Sequence, residues 1–483
     1  MQEYIQVLGV ELGKFSGLLP ELLLLIVSLL WLLPGFSKGQ KTNPIWLYSL
    51  LIPIAGLVYL RWFSAWDGQT LGYGAIHFPE TSKYFYLLTA GFAAIPIIGF
   101  ASRSWGKNGF TFQQGFFYLS AVAGALLSLL SAQLLVLYLA IEILSFSSYF
   151  LAASALNKNA SEGGIKYLLQ GSAASACMLY GISWLYGITG TLNFTHPLFL
   201  EGLKIASPFT VYMALVLVFG GITFKLSAFP LHTWVSNVYE VAPMPVVAFL
   251  SVVPKVAMLG VLWQLLPAFY QAIPQVYQLI GWVAIASIIV GNVTALVQKL
   301  PIRTMAYSTV SQAGYLLLPL LSGSELAYST LLAYIIVYSL ANFGVLIILE
   351  NYGWKNFTFS QFAGMAKTHL RPMLALLVFF LSLVGLPPTL GFLGKAGLFL
   401  VLAEGFQALK STFYLWMGIL ALLNAAVALF YYLHIPYQAW LKPKSLETNS
   451  EVPISAKTWW PAHILVATFI VILVLGFFWN SWL

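Results

Sequence analysis

Long apolar segments follow one another along almost the whole chain, and short polar loops separate them. An α-helix needs about 20 apolar residues to cross the hydrocarbon core of a bilayer. A membrane β-barrel would instead show segments of about ten residues in which apolar and polar positions alternate. The pattern therefore predicts an all-α membrane protein of about fourteen transmembrane helices, over residues 18–34, 44–62, 82–102, 113–130, 132–154, 164–188, 207–229, 245–266, 276–298, 302–322, 325–350, 370–404 (interrupted), 412–433 and 460–480.

A single polytopic membrane domain over residues 1–483 is the organisation that this pattern favours, because no gap between the predicted spans would hold a soluble domain. The longest polar stretch runs from Lys442 to Lys457, and residues 67–81 form a second, glycine-rich loop. We expect no cleavable signal peptide, because the N-terminus lacks a basic leader and the first apolar segment lacks a small-residue cleavage site.

The composition agrees with a lipid-exposed surface. Only 7% of the residues are charged and 60% are hydrophobic, whereas soluble domains carry roughly 25% charged residues. The net charge of +8 does not indicate nucleic-acid binding, because the basic residues are scattered singly over the loops. The single cysteine, Cys177, excludes an internal disulfide or a cysteine-ligated metal site and is interpreted as a helix-packing residue.

The distribution of lysine and arginine over the loops predicts the orientation. With the N-terminus outside, fourteen of the 22 basic residues fall in inner loops and five fall in outer loops. Cytoplasmic loops carry an excess of basic residues. We therefore predict that both termini lie on the outer side of the membrane.

The three remaining basic residues, Lys225, Lys255 and Lys395, lie inside apolar segments. A charge at the bilayer centre costs about 2.5–3.5 kcal/mol on insertion scales. Lys255 lies about ten residues inside its predicted span, which is ~15 Å along a helix, so its side chain reaches the interface only under strain. Charges placed at such a cost indicate a function.

Glu142 is the acidic residue predicted at a similar depth, whereas Glu21, Glu350 and Glu404 lie near helix ends, where interfacial charges are expected. A carboxylate and three amines at mid-depth are typical of a proton relay, because separating a Glu–Lys pair changes the proton affinity of both groups. The alternative is a static ion pair that fixes helix packing. A structural network should balance its charges, and three lysines with one acid do not.

Prolines interrupt the seventh and twelfth predicted spans beside two of these lysines. Lys225 lies in FKLSAFPLHTW (224–234), and Lys395 ends GLPPTLGFLGK (385–395). Carbonyls that a break frees at membrane depth are tolerated only where protein or water satisfies them, and discontinuous helices mark ion sites in many transporters. An ordinary proline kink is the alternative. Two such breaks suggest two related halves.

Several polar residues in neighbouring spans are candidates to carry protons between these sites. His232 is the best of them, because its unperturbed pKa is near 6.5. Each one taken alone is more commonly a helix–helix hydrogen bond. The candidates are His232, Tyr307, Ser311, Gln312, Tyr315, Asn292, Asn342 and Asn424.

Five segments, in this order, resemble the antiporter-like subunits of NADH–quinone oxidoreductase, respiratory complex I, and most closely the subunit N family. The length, the even number of predicted helices and the lack of a long C-terminal extension favour subunit N over the subunits L and M. The segments are LAIEILSFSSYFLAA (139–153), the stretch 162–191, which includes KYLLQGSAASACMLYGISWLYGITGT, FKLSAFPLHTWVSNVYEVAPMPVVAFLSVVPKVA (224–257), MAYSTVSQAGY (305–315) and GLPPTLGFLGK (385–395).

The resemblance implies roles for the four charges. Glu142 and Lys225 match a glutamate–lysine pair, Lys255 matches a central lysine, and Lys395 matches the terminal proton site. It also implies two inverted five-helix repeats, in residues 111–270 and 271–435, preceded by three helices in 1–110 and followed by a loop and a last helix in 436–483.

The same resemblance implies a position in the membrane arm of a hetero-oligomer, in a bacterial inner membrane. FMN, iron–sulfur clusters and quinone would be bound by partner subunits. The chain itself shows no dinucleotide fingerprint, cysteine cluster or haem-spaced histidine pair, so we expect no cofactor in it and assign the enzymatic activity to the whole complex.

The chain departs from the family pattern at several positions. Asn237 replaces an acidic residue, Val241 stands where glycine is common, and His434 stands where arginine is frequent. Gln312 occupies a position that is histidine in many members, and an amide does not titrate. Since all four key charges are present, we do not infer an inactive pump.

Three functions fit these features. The first is a proton-translocating subunit of the oxidoreductase. The second is a subunit of a multisubunit cation/proton antiporter or of a membrane-bound hydrogenase, which share the fold and the motifs. The third is a non-conducting membrane scaffold, against which the buried charges argue.

Overall fold

The computed structural model describes residues 19–33, 44–64, 70–71, 74–100, 111–443 and 460–478. In these ranges the chain is helical apart from one short hairpin and the connecting loops. Most of the polar stretch predicted from Lys442 to Lys457 lies outside the described residues.

Up to the first predicted break the helices follow the predicted spans, within a few residues at most ends, except that Pro197–Ile205 forms a helix that no span predicted. They are α1 (Leu19–Leu30), α2 (Pro44–Ser49), α3 (Leu51–Phe63), α4 (Glu80–Phe100), α5 (Phe112–Leu130), α6 (Leu134–Ala153), α7 (Lys158–Thr189), α8 (Pro197–Ile205) and α9 (Pro208–Leu226).

After this break the long helices again match the predicted spans, and the predicted interruption near residue 385 is present, whereas the short helices Trp234–Val241 and His434–Leu441 were not predicted. They are α10 (Trp234–Val241), α11 (Met244–Ala272), α12 (Val276–Leu296), α13 (Pro301–Leu317), α14 (Glu325–Asn351), α15 (Leu370–Val384), α16 (Leu390–Leu409), α17 (Thr412–Tyr432), α18 (His434–Leu441) and α19 (Trp460–Phe478).

Local sequence accounts for several helix ends. Thr111 and Gln114 form a capping box at the start of α5, in which each side chain bonds the backbone N–H of the other residue. Asn157 caps α7 by accepting from Ala160 N–H at 2.8 Å. Gly190 ends α7 in the left-handed region, with φ of 68°, a conformation that glycine adopts without steric cost.

Within the described residues, nine helices are long and apolar enough to cross a membrane, or ten if the bent pair at 359–367 and 370–384 counts as one. Shorter apolar helices lie at Pro20–Leu30, Leu47–Phe63 and His463–Val474. The chain is thus an all-helical, multi-pass membrane protein, and the number fourteen stays a prediction.

The contacts divide the chain into two compact units. Of the described residues, the first unit takes those up to 97 and those in 111–226 and 252–276, and the second takes 98–100, 227–251 and those from 277 onward. In the first unit α5 packs on α1 and α6, and α7 packs on α6 and α9. In the second unit α14 packs on α15, α16 and α19, and α10 packs on α13.

The glycine-rich loop predicted at 67–81 contains a hairpin. Strand β1 (Thr70–Leu71) pairs antiparallel with β2 (Ile76–His77). Ala132 N–H, between α5 and α6, donates to Ala75 O at 2.9 Å, and Phe194 N–H donates to Ala132 O at 3.1 Å. Backbone hydrogen bonds therefore join the loops at this end of the first unit, which turn signals alone did not predict.

Candidate functional site

Lys225 lies in the last turn of α9 and is almost fully buried, with 2% of its surface exposed. Among the described residues its Nζ has no hydrogen-bond partner, and neither has the buried Oε1 of Glu142 on α6. The two groups still interact electrostatically. The ammonium lies over the rings of Tyr149, Tyr167 and Phe224, at 5.0, 5.4 and 5.5 Å from their centroids. Cation–π attraction partly replaces the missing hydrogen bond.

Glycines bring the helices of this site together. A Cβ at Gly171 of α7 would lie 1.8 Å from the hydroxyl of Tyr149, and a Cβ at Gly221 of α9 would lie 2.7 Å from the Cβ of Met178. Because only glycine leaves this space, α7 can approach α6 and α9 closely. The sequence places these small residues where the lysine and its aromatic neighbours must fit.

Lys255 lies in α11 and is 1% exposed. Its Nζ donates to the carbonyl oxygen of Leu226 at 2.7 Å. Leu226 is the last residue of α9, and Ser227 follows in the left-handed region with φ of 62°. The last carbonyls of a helix have no partner within the helix, so the lysine satisfies a group that the break leaves free.

Lys395 occupies the second turn of α16 and is 4% exposed. Its Nζ donates to the carbonyl oxygen of Val384, the last residue of α15, at 2.7 Å. It also lies 4.4 Å from the ring centroid of Tyr315. Gly385 follows Val384 with φ of 88°, and a Cβ there would lie 2.7 Å from Cδ of Lys395.

Gln312 of α13 is buried beside this second break. Its Nε2 donates to Leu383 O at 3.1 Å and to the hydroxyl of Tyr432 at 3.2 Å. Its Oε1 accepts from the hydroxyl of Tyr334 at 2.5 Å. Tyr432 is also hydrogen-bonded to Ser308. Tyr334, Tyr432 and Ser308 were not predicted from the sequence, because buried tyrosine and serine are common in membrane helices.

His232 lies in the segment between α9 and α10, where its ring stacks on Phe229 with centroids 5.9 Å apart. Its Nδ1 is buried without a hydrogen-bond partner among the described residues. Tyr307 of α13 donates to Ser236 Oγ of α10 at 3.3 Å. These two candidates therefore lie next to the short helix that follows the first break.

A second polar cluster in the second unit joins α10, α11, α13 and α14. Asn342 Nδ2 donates to Ser251 Oγ at 2.6 Å, and Tyr338 donates to Ser251 O at 2.9 Å. Thr309 lies 3.4 Å from the hydroxyls of both Tyr239 and Tyr338. Of these residues only Asn342 was a candidate from the sequence.

Two contacts at the end of α10 anchor this short helix to later parts of the second unit. Glu240 accepts from Nε of Arg303 on α13 at 2.7 Å, and Lys355, in the loop after α14, donates to Ala242 O. Burial lowers the pKa of Lys355 from 10.5 to about 8, against the opposing attraction of Glu350 and Glu240. The anchor therefore contains a cation that burial disfavours.

Glu21 was predicted to be an interfacial charge, but the structure buries it in an ion pair. Arg61 donates to both of its carboxylate oxygens, at 2.7 and 2.5 Å, and Tyr86 donates to Oε1 at 2.5 Å. Glu21 is 0% exposed and Arg61 4%. The bidentate pair links α1, α3 and α4. Each residue lies near the end of its predicted span, so its depth in the membrane did not predict that it is buried in an ion pair.

No group of three His, Cys, Asp or Glu side chains that could hold a metal occurs in the part of the chain that the structure describes. Cys177 is a free, exposed cysteine on α7.

The comparisons with known proteins agree with this architecture. The family model described as "NADH:quinone oxidoreductase/Mrp antiporter, TM" matches residues 131–430. The chain is 32% identical to NADH-quinone oxidoreductase subunit N of Chlorobium chlorochromatii, over 92% of this chain and 88% of the relative. It is also 32% identical to subunit N of Coxiella burnetii, over 88% and 89% of the two chains.

Solved structures show the same fold. A chain of respiratory complex I from Thermus thermophilus superposes with a TM-score of 0.73 and 27% identity, over 93% of this chain and 97% of the other. A chain of an archaeal membrane-bound sulfane sulfur reductase gives a TM-score of 0.80 at 22% identity, over 97% and 96% of the chains. The chain therefore belongs to the NADH:quinone oxidoreductase/Mrp antiporter transmembrane family and, within it, to the subunit N family of NADH–quinone oxidoreductases.

Proposed function

We propose that this chain is the proton-translocating membrane-arm subunit of an NADH–quinone oxidoreductase, and that Glu142, Lys225, Lys255 and Lys395 carry the protons. The membership of the subunit N family supports the parent complex. The observation that carries the mechanism is the state of Lys225: its buried ammonium has no hydrogen-bond partner among the described residues and interacts with Glu142 only at a distance.

The proposed cycle is electrostatic. A charge or conformational signal changes the separation of Glu142 and Lys225. Because an opposite charge stabilises a buried ammonium, separation favours release of the proton from Lys225. The proton passes through Lys255 and water to Lys395 and then to the outer side. Lys255 lies next to this site through its bond to Leu226 O, one residue after Lys225.

His232, Tyr307 and Gln312 differ in how they would serve this route. An imidazole can hold a proton and a phenol can pass one on, so His232 and Tyr307 remain relay candidates beside α10. Gln312 cannot titrate, and its amide is fully engaged in hydrogen bonds. Gln312 affects the route only by fixing the positions of the groups that it bonds.

We also propose a membrane topology and an assembly for the chain. The chain crosses the membrane about fourteen times, with inverted repeats in 111–270 and 271–435 and both termini outside, in a bacterial inner membrane. It assembles with other membrane-arm subunits in the bilayer. FMN, iron–sulfur clusters and quinone reside in partner subunits, and NADH oxidation takes place there.

The test replaces Lys225 by Met in membrane vesicles that contain the whole complex. We expect NADH-driven proton uptake to fall at least about tenfold, because a step that loses its proton carrier gains well over 1.4 kcal/mol of barrier. The control is Lys166→Met, which removes the exposed partner of Glu162 on α7. Proton uptake by Lys225→Met equal to that of Lys166→Met would refute the relay.

A cation/proton antiporter subunit is the second candidate, because the fold is shared with a chain of the Mrp complex from Dietzia, with a TM-score of 0.78 at 19% identity over 95% of this chain and 50% of the other. Sodium-dependent proton exchange without NADH would favour it. A scaffold role would be favoured if the lysine variants altered assembly while the assembled complex kept its proton yield.

A further inference from the structure

The hydrogen bonds around Gln312 have a fixed direction. Leu383 O is a backbone carbonyl and can only accept, so the amide nitrogen must face it and the amide oxygen must face Tyr334. The hydroxyl of Tyr334 therefore donates. The second amide N–H points at Tyr432, whose oxygen accepts; the hydrogen bond between Tyr432 and Ser308 can run in either direction.

The carbonyl that fixes this direction belongs to the second break. Gln312 bonds Leu383 O, and Lys395 bonds Val384 O, the next carbonyl at the end of α15. The amide and the ammonium thus hold neighbouring carbonyls. At the other end of the chain of hydrogen bonds, Tyr432 lines a cavity of about 10 Å³, near the smallest space that holds one water molecule.

We propose that Gln312 is a positioning residue for Lys395, which holds the carbonyl end of α15 and gives the chain Tyr334–Gln312–Tyr432 a single direction. This inference rests on the proposed relay, in which Lys395 is the terminal site. Because an amide cannot exchange its donor and acceptor ends by losing or gaining a proton, the direction can change only if the break itself moves away from Gln312.

A histidine at this position separates the proposed role from simple packing. A neutral imidazole offers one donor for Leu383 O and one acceptor for Tyr334, whereas an imidazolium offers two donors and no acceptor. The titratable groups that face position 312 are Tyr334 on α14, Tyr432 at the end of α17 and, at the adjacent carbonyl, Lys395. Every variant is therefore compared with the native protein at each pH.

The experiment measures protons taken up per NADH oxidised between pH 6 and pH 8 in vesicles that contain the whole complex. We expect Gln312→Met to lower this ratio at least about fivefold at every pH, since it leaves buried groups without partners. We expect Gln312→His to approach the native ratio at pH 8 and to lose it as the pH falls through about 6.5.

The outcomes distinguish the positioning role of Gln312 from the relay itself. A native ratio in Gln312→Met beside a collapsed ratio in Lys395→Met would overturn the role of Gln312 and leave the relay standing. A Gln312→His profile parallel to the native one would also overturn it, even if Gln312→Met failed to assemble. A native ratio in Lys395→Met would overturn the proposed relay and, with it, the positioning role.

Discussion

The two helix breaks of this protein share a backbone geometry and differ in what surrounds it. At each, the residue after the last helical one has positive φ, Ser227 at 62° and Gly385 at 88°. At each, the carbonyl of the last helical residue accepts a hydrogen bond of 2.7 Å from a buried lysine. A cis X–Pro bond also lies in both, at Phe229–Pro230 and at Pro387–Pro388.

The surroundings differ in how fully the charged groups are bonded. At the first break the ammonium of Lys225 and one oxygen of Glu142 lack hydrogen bonds among the described residues, and a serine occupies the left-handed position. At the second break a glycine occupies that position, and Gln312 bonds the carbonyl of Leu383 in addition to the one that Lys395 bonds.

This difference assigns different tasks to the breaks. A buried charge without a hydrogen bond is costly. Lys225, beside the first break, can therefore lose its proton without breaking a hydrogen bond. The second break would lose several hydrogen bonds at once if it moved. We therefore expect the signal for pumping to act at Lys225, and the second break to keep Lys395 in place to receive the proton.

The largest expected effect comes from removing the lysines that hold the two carbonyls. Lys255→Met leaves Leu226 O without its lysine, and an unsatisfied buried group costs about 1–3 kcal/mol. Lys395→Met leaves Val384 O without its lysine in the same way, but Gln312 still holds the neighbouring carbonyl of Leu383, so the break should move less and the loss should be smaller. Both effects are measured as the temperature at which half of this chain is lost from the solubilised complex. An equal drop of this temperature in the two variants would contradict the difference between the breaks.

The next effect comes from exchanging the residues at the left-handed position. Gly385→Ala should destabilise the chain by more than the about 1–2 kcal/mol of an L-residue in this region, because its Cβ would also lie 2.7 Å from Lys395 Cδ. Ser227→Gly removes a similar strain and should be tolerated. The same thermal midpoint is measured for both variants. An unchanged midpoint in Gly385→Ala would show that the second break is not fixed in this geometry.

The smallest effect concerns the anchor of α10 after the first break. The pKa of Lys355 is lowered to about 8 by burial, so between pH 8 and 10.5 the unfolded chain holds more protons and stability rises with pH. The native chain should therefore gain thermal stability over Lys355→Met as the pH rises from 8 to 10. Lys367→Met, at an exposed lysine, should keep the native slope. If the difference in thermal stability between the native chain and Lys355→Met does not depend on pH, the protonation of Lys355 does not affect the stability of the anchor.

The sequence alone predicted the long helices, the two breaks and the buried lysines, since a charge or a proline inside an apolar run is a strong signal. The hydrogen-bond partners of Lys255 and Lys395 could not be predicted from the sequence, because Leu226 O and Val384 O are backbone atoms that any residue supplies. The Glu21–Arg61 pair was not predicted, because tertiary packing, rather than position within a span, buries it.

Gln312 shows a further limit of prediction from the sequence. Its amide indicated only that the residue cannot relay a proton by titration. The direction of its hydrogen bonds depends on one carbonyl at the end of α15, more than seventy residues later in the chain. Such a contact follows from the packing of α13 against the second break and from no local pattern.

The most direct test of the account is the ratio of protons taken up to NADH oxidised in four forms of the complex: native, Glu142→Gln, Lys225→Met and the double variant. If the pair works as one switch, each single variant loses most of the ratio and the double variant loses no more than the worse single one. Native ratios in both single variants, or losses that simply multiply in the double variant, would contradict it.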